Sequence, residues 1–401
     1  MGNICVAKKF GNITADAVVV GGGIVGTSTA FWLSKAGMKV VLLEMRDALS
    51  SLTTAASVEC FRTQFTEKSM ADLALESVGM FENFGEVTGI PDIDIGITQR
   101  GYLFVTDSAD MIPDLEKAVA RYHELGVKDA EFLSGQDLHG RFPFLSPESL
   151  AATYNQKDGW LSTHEATYGF AKGSANADFY TKTKVTDIVV DAQGVSLVET
   201  DMGNIHTRLV VNCAGPFAGN IGRMAGLEMP LRTVRRQKCY IKVDPALLPE
   251  KAPFMVDLLN HSYWRPEAGG LLCAWVDPDE PDSEPREDLP TDWDFAAESI
   301  HRVSRLNPFF ETVADKIVAS DIDVSAGMYV YTPDDKPVIG PSGEVEGLHL
   351  NCGYWCGVMM SPGAGKRVAD IATGKMDNSD NPLRYSRFAE GVVEKGATFL
   401  K

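Results

Sequence analysis

The stretch Ala17-Val18-Val19-Val20-Gly21-Gly22-Gly23-Ile24-Val25-Gly26, followed by Lys39-Val40-Val41-Leu42-Leu43-Glu44, decides the fold. Four β-formers run into a G-x-G-x-x-G pattern at Gly21, Gly23 and Gly26. Residues 24–36 then have helical composition and stop at Gly37, a residue suited to a helix C-terminus. A second apolar run ends on the acid Glu44. Each part has a physical task. Gly21 permits a tight turn, Gly23 lets backbone approach a pyrophosphate, and Gly26 lets helix and strand pack closely. The helix N-terminus offers free N–H groups and a positive dipole end to phosphate. Glu44 is placed to accept hydrogen bonds from ribose hydroxyls. The glycine pattern alone is a weak signal; strand, helix and acid in register predict a dinucleotide-binding βαβ unit.

Length and composition set the frame around this unit. With 401 residues, 44% of them hydrophobic, the chain has room for two lobes. A net charge of -18 disfavours nucleic acid as a partner. No apolar run has the length of a transmembrane segment. The apolar stretch 17–33 behind Lys8-Lys9 is better explained by the βα unit than by a signal peptide, and no small-residue cleavage site follows it. Met1-Gly2 lacks the Ser or Thr of a myristoylation signal, since Val6 stands there. A cytoplasmic location is expected, an organelle matrix being the alternative. The seven cysteines (Cys5, Cys60, Cys213, Cys239, Cys273, Cys352 and Cys356) show no metal-ligand spacing. They read as small core residues in a reducing compartment, and no metal is expected.

The first fifteen residues read as an extension outside the core. After Glu44 a Ser/Thr/Ala-rich segment, 50–57, breaks the βαβ rhythm, and helical patterns run through 67–82 and 114–125. Strand-like runs return at 186–191, 195–200 and 207–212, the last leading into Cys213-Ala214-Gly215-Pro216. An alternating strand at 234–243 and an acidic, proline-rich loop at 277–290 follow. Residues 347–353 read as a buried strand and 363–372 as a helix. Pieces of a nucleotide domain therefore alternate with foreign material. A simple NAD dehydrogenase would continue strand–helix–strand after Glu44, so the interruption favours FAD. The expected architecture is α/β (α+β overall), a Rossmann-like FAD-binding domain with an interleaved substrate domain on a largely antiparallel sheet. The FAD-binding domain is placed at 16–80, 150–225 and 320–380, and the substrate domain at 81–149 and 226–319. Residues 381–401 are left as a tail.

Several separate motifs carry a resemblance. They are the glycine unit with Glu44, Cys60-Phe61-Arg62-Thr63-Gln64-Phe65, Val211-Asn212-Cys213-Ala214-Gly215, and Tyr263-Trp264-Arg265-Pro266-Glu267. Tyr331-Thr332-Pro333-Asp334-Asp335-Lys336-Pro337 and the stretch from Gly353 to Gly363 complete the set. In their order and spacing the chain resembles the D-amino-acid oxidase superfamily of FAD-dependent oxidoreductases over residues 16–375. Within it, the resemblance is to sarcosine oxidase β-type subunits and dimethylglycine-dehydrogenase-like enzymes.

That resemblance implies contacts to FAD from Gly21, Gly23, Ile24, Val25 and Gly26, from Glu44, Met45 and Arg46, and from Thr53, Thr54 and Ser57. It further implies an adenine contact at Val185, a close approach at Ala214 and Gly215, and a C-terminal element of Gly353, Gly357, Val358, Met359 and Met360 at the flavin edge. Members with covalently held flavin carry a cysteine before a Met-Tyr pair. Gly327 precedes Met328-Tyr329 here, which implies non-covalent FAD. A lysine that activates oxygen in monomeric sarcosine oxidases aligns with Leu272, and one that helps hold substrate carboxylate aligns with Met359. Both departures shift weight from an oxidase toward a dehydrogenase.

Arg62 is the expected carboxylate anchor, since a guanidinium binds two oxygens at once; the alternative is a structural pairing with Glu59 or Glu67. Tyr329 matches a family active-site tyrosine, or is simple core. His164 and His261 are further candidates beside substrate, and Trp264 and Trp355 are candidate aromatic walls, each against a plain packing role. The basic run Arg232, Arg235, Arg236 and Lys238 reads as a solvated face or domain-interface pairing.

Three functions remain open. The first is oxidation of the C–N bond of a small secondary or N-methylated amino acid, by hydride transfer to flavin and imine hydrolysis. The second is a flavin-dependent 2-hydroxy acid oxidoreductase, for which a histidine base matters more. The third is a flavin-binding assembly factor or scaffold subunit with little turnover. A small amino-acid-like molecule is the expected partner, with a homo-oligomer or partner subunit as an addition.

Overall fold

A computed structural model describes residues 2–6 and 9–391. The βαβ unit forms as its sequence requires: strand Ala17–Val20, helix Ile24–Lys35 and strand Val40–Leu43. Both strands are buried along their whole length, which is why they read as unbroken apolar runs. They lie inside a seven-stranded sheet ordered Asn3–Val6, Ala177–Thr181, Val40–Leu43, Ala17–Val20, Val210–Asn212, Leu348–Cys352, Val338–Pro341. All neighbours are parallel except the last pair.

Alternation along these strands builds two cores. Ala17, Val19, Val40 and Leu42 face a layer containing helices Ile24–Lys35, Thr163–Gly173, Lys68–Glu82 and Gly357–Ala372. Val18, Val20, Val41 and Leu43 face the opposite way, onto a four-stranded sheet of Val185–Asp191, Gly194–Thr200, Gly203–His206 and Gly11–Thr14. An eight-stranded sheet forms the second lobe, ordered Ile322–Tyr331, Arg232–Lys242, Gly270–Trp275, Ser262–Glu267, Phe254–Asp257, Tyr102–Thr106, Ala151–Asn155, Ala130–Ser134. It is antiparallel except where Phe254–Asp257 meets Tyr102–Thr106. The mixed architecture is the one expected.

Four boundaries differ from the sequence reading. The first fifteen residues are not outside the fold: Asn3–Val6 edges the seven-stranded sheet and Gly11–Thr14 edges the four-stranded one. Strands Ala151–Asn155 and Ile322–Tyr331, assigned above to the FAD-binding domain, run in the eight-stranded sheet. The tail begins as packed structure, with Asn381 and Leu383 fully buried and Arg387 paired to Asp334 at 2.8 Å; residues 392–401 lie outside the described part. The C-terminal helix starts at Gly357, well over a turn before the expected residue 363. Pro362 inside it hid this. Pro362 leaves the carbonyl of Val358 without its helical donor, and the Ser361 hydroxyl donates to that oxygen at 2.9 Å.

The basic run pairs across elements, with Arg232 still exposed to solvent. Arg232 meets Asp282 at 2.9 Å and Arg235 meets Glu280 at 2.7 Å, so the acidic loop lies along this strand. Lys238 donates to the carbonyls of Ala55 and Ser57 in the segment after Glu44.

Candidate active site

A cleft of about 2100 Å³, open solvent at its mouth included, runs between the lobes. One wall comes from the glycine turn. Gly21 has φ +114°, and a Cβ there would lie 2.4 Å from the Cys213 carbonyl oxygen. A Cβ on Gly26, beneath the turn, would lie 1.9 Å from the Gly21 oxygen, so only glycine lets helix and turn meet. The first turn of helix Ile24–Lys35 has no side-chain N-cap and no acidic residue. Thr54 accepts from the Ile24 amide at 3.2 Å; the next amides have no intrahelical acceptor by helix geometry. A second uncapped helix, Gly357–Ala372, brings Cys356, Gly357, Val358 and Met359 to the same cleft.

Glu44 sits at the end of its strand with its carboxylate held by two backbone donors, Gly22 at 2.7 Å and Arg46 at 2.8 Å. Burial raises its pKa against those two bonds. In the same cleft the Thr53 hydroxyl and the Arg46 Nε are buried without hydrogen-bond partners among the described residues. Glycine cradle, free helix amides, a fixed acid and orphaned donors fit a dinucleotide along this wall.

Farther along, Arg62 is only 3% exposed yet lines the cleft. Its guanidinium lies over Phe65 (4.3 Å to the ring centre) and near Phe104 (5.1 Å) and Trp355 (5.7 Å). Nη1 donates to the Gln64 carbonyl at 2.7 Å, while Nη2 is buried with no partner among the described residues. The structural alternative does not hold. Glu59 is taken by Arg265 and Thr163, and neither Glu59 nor Glu67 forms an ion pair with Arg62. Tyr102, Phe254, Tyr263, Tyr329 and Trp355 line the same cleft. Burial pushes the Tyr329 phenol well above its ordinary range, so it stays protonated.

Gly21, Gly23, Ile24, Val25, Glu44, Met45, Arg46, Thr53, Thr54, Ser57, Val185, Ala214, Gly215, Gly357, Val358, Met359, Arg62 and Tyr329 all line this cleft. Other expected residues do not. Gly353 instead makes the turn before the second helix, and Met360 is buried in the core behind it. His164 is exposed and packs on Tyr168, at 4.6 Å between ring centres. His261 occupies a left-handed turn, φ +55°, and does not itself line the cleft, although its carbonyl accepts from the lining residue Val276 at 3.0 Å. Trp264 is core, edge-on to Phe309 and Phe310, with its Nε1 on the Met255 sulfur at 3.3 Å. Strand alternation explains this: Tyr263, its neighbour, is the one that faces the cleft. Leu272 is buried and does not line the cleft either.

A family model described as FAD dependent oxidoreductase matches residues 16–371. This chain belongs to that family. Its cofactor is FAD, and the wall described above is the one that fits it. Dimethylglycine dehydrogenase of Rattus norvegicus is 27% identical over 378 residues, 89% of this chain and 42% of the relative. Sarcosine dehydrogenase of Mus musculus is 27% identical over 402 residues, 95% of this chain and 42% of the relative. The chain thus spans less than half the length of these two relatives. The crystal structure of L-proline dehydrogenase from P. horikoshii superimposes with a TM-score of 0.83 at 24% identity, over 95% of this chain and 99% of that one, and shares the fold. Among the described residues no helix is long and apolar enough to cross a membrane, and no cluster of metal ligands occurs.

Proposed function

We propose that this FAD-dependent oxidoreductase oxidises the C–N bond of a small secondary or N-methylated amino acid. The observation that carries the reading is the free Nη2 of Arg62. An arginine this buried, with no ion-pair partner among the described residues, is costly in a cleft unless an anion arrives there, and a carboxylate suits a guanidinium edge. Around it five aromatic side chains supply apolar walls that exclude water and can accommodate N-methyl groups. When bound, FAD supplies the hydride acceptor, and water then hydrolyses the imine product. The protein's own part is to hold the carboxylate on Arg62 and keep the amine between the rings.

Two details support finer points. Gly327 packs its Cα against the helix Thr53–Ala56, where a Cβ would meet that of Ala56 at 3.0 Å, so non-covalent FAD is the reading. Leu272 and Met359 stand where the resemblance expects the oxygen-activating and carboxylate-holding lysines, and the two departures together favour a dehydrogenase over an oxidase. The 2-hydroxy acid reading is less favoured, since no histidine among the described residues lines the cleft.

The test is steady-state kinetics on sarcosine and N,N-dimethylglycine. Arg62→Ala is expected to raise KM by about 100-fold while leaving bound FAD near the wild-type level. Unchanged KM in that variant would remove the anchor from the account.

A further inference from the structure

We propose that Asp158 is a positioning residue that holds Arg62 ready for an anion while leaving it unpaired. The inference rests on the reading of Arg62 as the carboxylate anchor. Asp158 is fully buried, in the turn between strands Ala151–Asn155 and Gly159–Trp160. Its Oδ1 accepts from the Thr63 amide at 2.9 Å, the Thr63 hydroxyl at 2.9 Å and Asn155 Nδ2 at 3.2 Å. Its Oδ2 accepts from Gln64 Nε2 at 3.1 Å. Three of these four donors belong to the two residues directly after Arg62.

The same two residues are fixed from other sides. Gln64 Nε2 also donates to the Tyr102 carbonyl at 3.0 Å, and its Oε1 accepts from Thr153 at 2.8 Å. Thr63 Oγ1 accepts from Asn155 Nδ2 at 2.8 Å. The Gln64 carbonyl, held by this network, is the acceptor for Arg62 Nη1. One nitrogen of the guanidinium is therefore gripped, its face lies over Phe65, and the other nitrogen is left free.

A carboxyl group so near an arginine would ordinarily pair with it and quench it as an anion site. Here neutral donors occupy the carboxyl oxygens, and no Asp158–Arg62 ion pair forms. The arrangement fixes the guanidinium through the Gln64 carbonyl without blocking the substrate's place.

The experiment titrates FAD-loaded wild type, Arg62→Ala, Asp158→Asn and Thr63→Val with acetate, following the flavin absorbance change. The thermal midpoint and FAD content of each are recorded alongside. Asp158→Asn keeps an oxygen for the Thr63 donors but turns an N–H group against Gln64 Nε2, and is expected to weaken acetate by about tenfold. Thr63→Val, which removes one donor with little change of shape, is expected to weaken it by about threefold. In both, KM for N,N-dimethylglycine rises while kcat stays within about twofold, a split that general loosening would not produce. No acetate binding by wild type, or wild-type binding by Arg62→Ala, overturns the anchor and this proposal with it. Binding lost in Arg62→Ala but unchanged in the other two overturns the positioning role alone. If Asp158→Asn does not fold, Thr63→Val decides.

Discussion

At Asp158 the fold keeps a carboxyl group that in water would ionise as pH rises through about 4. Burial pushes its pKa up to about 7, the bonds from Gln64 and Thr63 pulling the other way. The sign for stability follows. Between the unfolded and folded pKa values the native state holds the proton and the unfolded chain does not. This group's contribution is therefore fully present below about pH 4 and lost as pH rises through about 7. Asp158→Asn removes the titration, so its thermal midpoint is expected to gain on wild type as pH is raised across that window. A difference that stays flat with pH would contradict the burial argument. At this scale a residue's place at the cleft was legible where it sat in a motif, as Glu44 and Arg62 do. The sequence was misleading at His164, His261 and Trp264, because a lone side chain carries no statement of which way it points. Tyr263 and Trp264 occupy opposite faces of one strand, and only pairing with distant strands sets which face meets the cleft.

Among the elements, the two helices whose N-termini meet the cleft pack directly on each other. A Cβ on Gly365 would lie 2.7 Å from the Ser28 hydroxyl and 2.8 Å from the Ser28 backbone carbon. Ser28 in turn donates to the Ser361 carbonyl at 2.8 Å. This contact sets the spacing of both helix ends. Gly365→Val is expected to cost about 1–3 kcal/mol of stability by overpacking and to lower FAD retention; a wild-type thermal midpoint and full FAD content would show that the contact does not matter. The start of the second helix could not be read from sequence, since Pro362 is a stop signal unless a neighbour satisfies the freed carbonyl. Ser361 does so. Strand Ala17–Val20 and its helix were legible because period, glycines and acid agreed in one short window.

Over the whole molecule, the chain crosses repeatedly between two sheets, and the cleft collects residues from the glycine turn to Met359. The interruption after Glu44 showed that a second lobe was threaded through the first. Its edges were not legible: Ile322–Tyr331 belongs to the second lobe because it pairs with Arg232–Lys242 over ten residues, a partnership invisible in a single sequence. The aromatic lining likewise gathers Tyr102, Phe254, Tyr263 and Tyr329 from four strands of one sheet. These rings and Arg62 together give the cleft its chemical character. The most direct measurement is anaerobic titration of the FAD-loaded protein, following the flavin band with sarcosine, N,N-dimethylglycine and the matching N-methylated amines that lack a carboxylate. Bleaching by the amino acids and far slower bleaching by the bare amines is the predicted result. A flavin that stays oxidised with every N-methylated amino acid, or reacts equally with the bare amines, would contradict it.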